Sequence, residues 1–280
     1  MRSDINSVLR IDHRINGKSK SLSFLDDKTT SYKAHAQLSV IIPTYMEEKI
    51  LLENIKVFTG ELKKKYNLEL IISDGGSSDN TVEISKEYAD KIVIHNLKER
   101  QTIAGGRNKG TEVARGDVLI FLNADSTPEN PDSFFEEIYN WALETGKYKN
   151  YDALATYVTS FPEETIFKDK LFYTLHNSYV RFLNLIGLGM GRGECQIVRA
   201  DVFRKVSGYN EKIAAGEDFD LYRRISHVGR IGFAKNLRVL ESPRRFRKYG
   251  YLKVVSSWTV NSLSVWIFGK SVSKEWEAVR

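Results

Sequence analysis

Short apolar runs that end on polar residues punctuate the first half of the chain. Leu38-Ser39-Val40-Ile41-Ile42 stops at Pro43-Thr44-Tyr45, and Leu68-Glu69-Leu70-Ile71-Ile72 stops at Ser73-Asp74-Gly75-Gly76. Lys91-Ile92-Val93-Ile94-His95 follows, and Val118-Leu119-Ile120-Phe121-Leu122 runs into Asn123-Ala124-Asp125. Runs this short, rich in β-branched residues and closed by turn formers, predict strands buried on both faces. Between them the period changes. Ile50, Leu51, Ile55, Phe58 and Leu62 predict a helix from Glu47 to about Tyr66. Val82 and Ile84 predict one to about Tyr88, and a third covers about 104–114. Four β-α steps predict a parallel sheet with right-handed crossovers and a ligand cleft along the carboxyl ends of its strands.

The second half is less regular. A helix over about 133–143 carries Phe134, Phe135, Ile138 and Tyr139, with Trp141 set toward the surface. A strand is expected over 152–158 and another over 194–199, with short strands at 231–234 and 238–240. From Ile166 to Ile186, Leu171, Phe172, Leu175, Tyr179, Phe182 and Leu183 fall at helical intervals among Lys168, Lys170, His176 and Arg181. Such a helix either packs on the domain, lines an acceptor cleft or lies on a membrane. Gly187 to Gly193 is a flexible loop, suited to closing on a ligand or to a plain exposed connection. Residues 1–37 are polar and aperiodic, a tail or a wrapping arm.

Composition narrows the class. With 41% apolar residues in 280, the chain can build one large α/β domain or two small ones. A net charge of +6 does not indicate nucleic acid, but the excess is uneven: from Arg223 onward 13 Lys/Arg face 3 Asp/Glu. That end could meet phosphates or an anionic lipid surface, or be a solvated basic face. The apolar run Val254–Phe268, flanked by Lys253, Lys270 and Lys274, offers a membrane-interface segment, a homodimer contact or simple packing. Cys195 is the single cysteine, which excludes an internal disulfide and fits a reducing compartment; nothing near it marks an activated thiol. No apolar segment reaches the roughly 20 residues that span a bilayer, and no signal-peptide core is visible. The expectation is a cytoplasmic protein, with the inner face of the membrane left open.

Candidate chemistry gathers at the predicted strand ends. Asp74, followed by two glycines, can bring a carboxylate close to a base N–H or a ribose hydroxyl. Ala104-Gly105-Gly106-Arg107-Asn108-Lys109-Gly110 opens a helix and could cradle phosphate, although neither G-x-G-x-x-G nor a Walker sequence is present. Asp125 stands where a ligand or metal is met, unless Asn123-Ala124-Asp125 merely starts a turn. Glu217, Asp218 and Asp220 cluster where a helix begins, either for chemistry or to complement the helix N-terminus. Arg244 and Arg245 could grip a diphosphate bidentately or be solvated charge.

In order along the chain, Pro43-Thr44-Tyr45 with Glu47, Ser73-Asp74-Gly75-Gly76-Ser77-Ser78-Asp79, Gly106-Arg107-Asn108, Asn123-Ala124-Asp125 and Gly216-Glu217-Asp218 resemble family 2 glycosyltransferases of the GT-A fold. The resemblance covers roughly Leu38 to Tyr222. It implies an α/β fold with a mostly parallel central sheet flanked by helices. The chain then divides into a polar N-terminal arm (1–37), a glycosyltransferase domain (38–249) and an amphipathic C-terminal extension (250–280). It further implies a nucleotide-sugar donor, a UDP-sugar favoured, with Mg²⁺ or Mn²⁺ as cofactor. The sugar is transferred with inversion to a glycan, lipid-linked or small-molecule acceptor, in cell-envelope glycan synthesis. Pro43, Tyr45, Glu47 and Asp74 are expected to hold base and ribose, with Arg107 and Asn123 also on the donor side. Asp125 is expected to bind metal and Asp218 to be the general base. Glu217 would orient it or contact the acceptor, and Arg244 or Arg245 would meet the leaving diphosphate. Asn123 replaces the first acid of the family's Asp-x-Asp pattern, so metal affinity before donor binding should be weak. Two other classes remain: a nucleotidyltransferase, for which no lysine-bearing glycine loop is found, and a non-catalytic sugar-nucleotide or glycan binder.

Overall fold

The computed structural model describes residues 7–11, 38–95 and 101–273. Its strands are β1 (Ser7–Ile11), β2 (Leu38–Thr44), β3 (Leu68–Asp74), β4 (Lys91–His95), β5 (Val118–Leu122), β6 (Ser126–Pro128), β7 (Ala153–Ser160), β8 (Cys195–Arg199) and β9 (Ile231–Glu241). Its helices are α1 (Leu51–Ile55), α2 (Gly60–Lys65), α3 (Thr81–Lys86), α4 (Ile103–Glu112), α5 (Pro131–Ala142), α6 (Phe167–Leu185), α7 (Ala200–Lys205), α8 (Glu217–Ser226), α9 (Arg244–Tyr249) and α10 (Tyr251–Phe268).

The strands form one sheet in the order β1-β4-β3-β2-β5-β8-β7-β9-β6. From β1 to β5 every pairing is parallel, as the four β-α steps require. β3 and β5 are buried at every position, which is why both read as unbroken apolar runs rather than as alternating ones. The other half mixes directions: β8 runs antiparallel to both β5 and β7, and β9 is parallel to β7. Core side chains cover both faces of this sheet. Ile42, Ile72 and Ile120 face α1 and α5 on one side, and Ile41, Phe121 and Phe203 lie on the other.

Several expectations are corrected. The helix expected over 47–66 is two, because Thr59 accepts a hydrogen bond from Leu62 N and starts a second one. The apolar spacing survives the break because both pieces bury the same side. Trp141 is fully buried rather than toward the surface; its Nε1 donates to the Tyr151 carbonyl at 3.0 Å and the Arg199 guanidinium covers its ring. The two short strands at 231–240 are one, β9, and Ser126–Pro128 pairs with its far end. Within the segment read as strandless, Ser7–Ile11 adds an edge strand beside β4.

The 104–110 glycines serve packing more than phosphate. α4 begins at Ile103, and Thr102 Oγ1 already accepts from Gly105 N. At Gly110 a Cβ would stand 2.4 Å from the Ile41 side chain, so only glycine lets α4 lie this close to β2.

Candidate active site

A cleft of about 470 Å³ opens at the carboxyl ends of β2 and β5. One part of its wall comes from Pro43, Tyr45 and Glu47. The Met46 backbone between them has φ of 57°, a left-handed conformation unusual for a non-glycine residue. Met46 N donates to Ser77 Oγ at 2.8 Å and Glu47 N to Thr81 Oγ1 at 2.8 Å, so the loops after β2 and β3 hold each other.

Asp74 organises those loops from below. It is wholly buried, and its carboxylate accepts from Thr44 Oγ1, Ser77 Oγ, Gly76 N and Ser77 N at 2.7–3.0 Å. It is not among the residues that line the cleft. Its four hydrogen bonds shape the Thr44–Tyr45 turn, which reaches the cleft.

Asp125 reaches the cleft at the end of β5. Asn54 in α1 fixes the loop by donating Nδ2 to the Ala124 carbonyl at 2.9 Å, and Ser126 N donates to the Asn123 carbonyl at 3.1 Å. The stretch is thus both a turn and the mouth of a strand. Asp125 Oδ2 accepts from Arg244 Nη2 at 3.1 Å, with both side chains about a third exposed. Arg245 lines the same wall. A carboxylate and guanidinium paired at a cleft mouth present both signs to one ligand.

Arg107 is the central tie. It is 1% exposed, and its Nη1 donates to Glu217 Oε1 at 3.0 Å while Nη2 donates to Asn123 Oδ1 at 3.0 Å and to the Gly193 carbonyl at 2.6 Å. One guanidinium thus joins the end of β5, the glycine loop and the start of α8. Its planar fork suits three fixed acceptors where an ammonium would not. Arg107 also lines the cleft, with both terminal nitrogens donating to protein acceptors. Asn123 also lines the cleft, and its Oδ1 accepts from Arg107.

Asp218 follows Glu217 on α8 and is half-buried at the cleft wall. Burial, then the neighbouring Glu217 carboxylate, push its pKa up to about 7, against the opposing pull of the Phe219 backbone N–H and Arg107. The glycine loop closes tightly over this region. At Gly191 a Cβ would come 2.6 Å from the Tyr222 ring, so the close approach requires glycine.

Sequence reasoning missed the far wall. Arg192, 2% exposed, bonds Glu194 through Nε at 3.0 Å and Nη2 at 3.1 Å, and lies 3.4 Å from Glu241. Burial alone would raise Glu194, but Arg192 beside it holds its pKa down to about 2. Burial and then the Glu194 charge push Glu241 well above the carboxylate range. His176 of α6 and Trp258, Asn261 and Ser262 of α10 complete this end. Burial lowers the His176 pKa to about 3, so its ring is neutral. The glycines flanking Arg192 were the only available signal. Cys195 is buried and its thiol pKa is raised by that burial, as expected of a packed cysteine.

Among the described residues no three His, Cys, Asp or Glu side chains group as a ready-made metal cage. The donor set still fits a hard divalent cation in one way. Mg²⁺ and Mn²⁺ accept one carboxylate when substrate phosphates and water supply the rest, and Asp125 is such a carboxylate.

Comparison with known proteins identifies the family and the fold. A family model described as glycosyl transferase family 2 matches residues 39–207. The chain is 29% identical over 184 residues to the succinoglycan biosynthesis protein ExoA of Rhizobium meliloti, covering 64% of this chain and 55% of that protein. It is 24% identical over 205 residues to the probable glycosyltransferase YdaM of Bacillus subtilis, covering 69% and 47%. The chain thus spans about half the length of these curated relatives. Among solved structures, the mannosyltransferase PcManGT of Pyrobaculum calidifontis, in complex with GDP-Man and Mn²⁺, superposes with a TM-score of 0.63 at 15% identity, over 86% of this chain and 67% of that one. Staphylococcus aureus TarS 1-349 with UDP-GlcNAc gives 0.52 at 17% identity, over 72% and 57%. The fold is GT-A.

Proposed function

The chain belongs to glycosyl transferase family 2, and from that membership we propose that it moves a sugar from a nucleoside diphosphate donor, a UDP-sugar favoured, to an acceptor hydroxyl with inversion. The observation that carries this reading is Asp218: a half-buried carboxylate whose pKa is pushed up to about 7, in the same cleft as the Asp125–Arg244 pair. A base is most useful when its pKa lies near the working pH, because it is then both ionised and willing to take a proton.

In the proposed reaction the acceptor O–H loses its proton to Asp218 as its oxygen bonds the anomeric carbon. The bond from that carbon to the diphosphate oxygen breaks, and its electron pair leaves with the nucleoside diphosphate. Attack opposite the leaving group inverts the configuration. Arg244 and Arg245, both on the cleft wall, would take up the leaving charge through their guanidinium groups. Asp125 would hold Mg²⁺ or Mn²⁺ together with the donor phosphates, a cation supplying Lewis-acid stabilisation of the diphosphate. Pro43, Tyr45 and Glu47 would receive base and ribose. Glu217, bound to Arg107, orients the base. The relatives' names, succinoglycan biosynthesis and poly(ribitol-phosphate) N-acetylglucosaminyl transfer, support a glycan acceptor, free or lipid-linked.

Thermal-shift screening of UDP-, GDP- and dTDP-sugars with Mn²⁺, followed by assay of nucleoside diphosphate release, tests the reading. One nucleotide series is expected to stabilise the protein and to be turned over. No shift with any donor would overturn it.

A further inference from the structure

Helices α6 and α10 bury one side and leave the other bare. Tyr173 and Val180 of α6 and Val254 and Val265 of α10 are in the core, while Phe167, Leu171 and Leu175 and then Leu252, Leu263 and Ile267 are 46–88% exposed. The spacings are those of a single face on each helix. The two helices touch: Phe172 and Tyr251 have ring centroids 5.2 Å apart, His176 and Trp258 5.4 Å. Among the described residues neither helix is long and apolar enough to cross a membrane.

Charge identifies what covers this face. Across residues 165–193 and 242–273 the only acid is Asp169, and it is fully buried. There it accepts from Ile166 N at 2.8 Å, from Arg247 Nη2 at 2.9 Å and from Tyr251 Oη, locking the starts of the two helices together. Every exposed charge on these segments is therefore positive, including Lys168, Lys170, Arg181, Lys253 and Lys270. A second copy of the chain would bring the same uncompensated cations against this rim, which like-charge repulsion opposes. An anionic lipid surface satisfies both the apolar stripes and the basic rim.

We propose that α6 and α10 together form a docking face for an anionic lipid surface, and that the acceptor end of the cleft opens beside it. The inner sides of the same helices supply His176, Trp258, Asn261 and Ser262 to the cleft wall. A lipid-borne acceptor would then enter from the bilayer; that step rests on the glycosyl-transfer reading, whereas the docking does not.

Co-sedimentation with vesicles of phosphatidylcholine, alone or mixed with phosphatidylglycerol, tests the proposal on the full chain. Binding to the mixed vesicles is expected, with little to the neutral ones. Lys168→Glu with Lys253→Glu should lower it by about tenfold or more, since each basic residue near such a surface contributes about fivefold. Leu175→Ser and Leu252→Ser, both at exposed sites, should each weaken it without changing thermal unfolding. Donor binding by calorimetry should be unaltered in all three variants. Absence of vesicle binding by the folded wild type, or dependence on one helix alone, would overturn the docking face. So would a self-association in ultracentrifugation that the serine variants abolish. Vesicle binding without donor binding would instead overturn the catalytic reading and leave the docking intact.

Discussion

Arg107 Nη1 donates to Glu217 Oε1 at 3.0 Å across 110 positions of sequence, and through this bond the α4 helix holds the residue beside the proposed base. Removing the guanidinium leaves Glu217 buried without its partner. Arg107→Ala is expected to cost about 3–5 kcal/mol of stability, read by denaturant unfolding. Arg107 also lowers the Asp218 pKa, so in Arg107→Gln the acidic limb of the kcat/KM profile should move to higher pH.

The same profile in the wild type should show an acidic limb near pH 7, where Asp218 loses its proton. Its folded-state pKa stands above the unfolded value of about 3.9. Such a group contributes stability only while protonated, and that contribution disappears as pH rises from about 4 through about 7. Asp218→Asn should therefore raise the melting temperature at pH 8, by roughly 2–4 °C for each kcal/mol recovered, and leave it unchanged at pH 4. Differential scanning calorimetry at the two pH values checks this.

Metal should bind late. With Asp125 as the one carboxylate at the cleft mouth, paired to Arg244, Mn²⁺ alone should bind weakly and nucleotide should tighten it. Isothermal calorimetry with Mn²⁺, with and without nucleoside diphosphate, separates the cases. Tight binding without nucleotide would contradict the assignment, and Asp125→Asn should remove the nucleotide-dependent part.

The acids around Arg192 should respond unequally. Burial and the Glu194 charge raise the Glu241 pKa, so Glu241→Gln, which keeps its shape, should change stability by about 1 kcal/mol or less. Arg192→Ala leaves the ionised Glu194 uncompensated in the interior and should cost about 3–5 kcal/mol. Urea denaturation of both variants measures the difference.

The parallel half of the fold was legible because its strands, buried on both faces, are written as apolar runs with polar ends. Asp125, Glu217 and Asp218, taken from the order of motifs, line one cleft together with Arg244 and Arg245. What local pattern could not reveal is how side chains spend their hydrogen bonds. Asp74 is hydrogen-bonded by the turn around it and Arg107 to acceptors 16 to 110 positions away. The Arg192–Glu194–Glu241 wall depends on β9 lying beside β7, a pairing with no signature in either strand. The α1–α2 break was hidden because both pieces face the same core.

The central claim is that Asp218 takes the acceptor proton while the rest of the cleft holds the donor. Its most direct test measures donor affinity and nucleoside diphosphate release side by side for the wild type and Asp218→Asn, using the donor selected by thermal shift. Donor affinity should change by less than about threefold, while turnover falls by about 10²–10⁴. Unchanged turnover with unchanged donor binding would contradict the account.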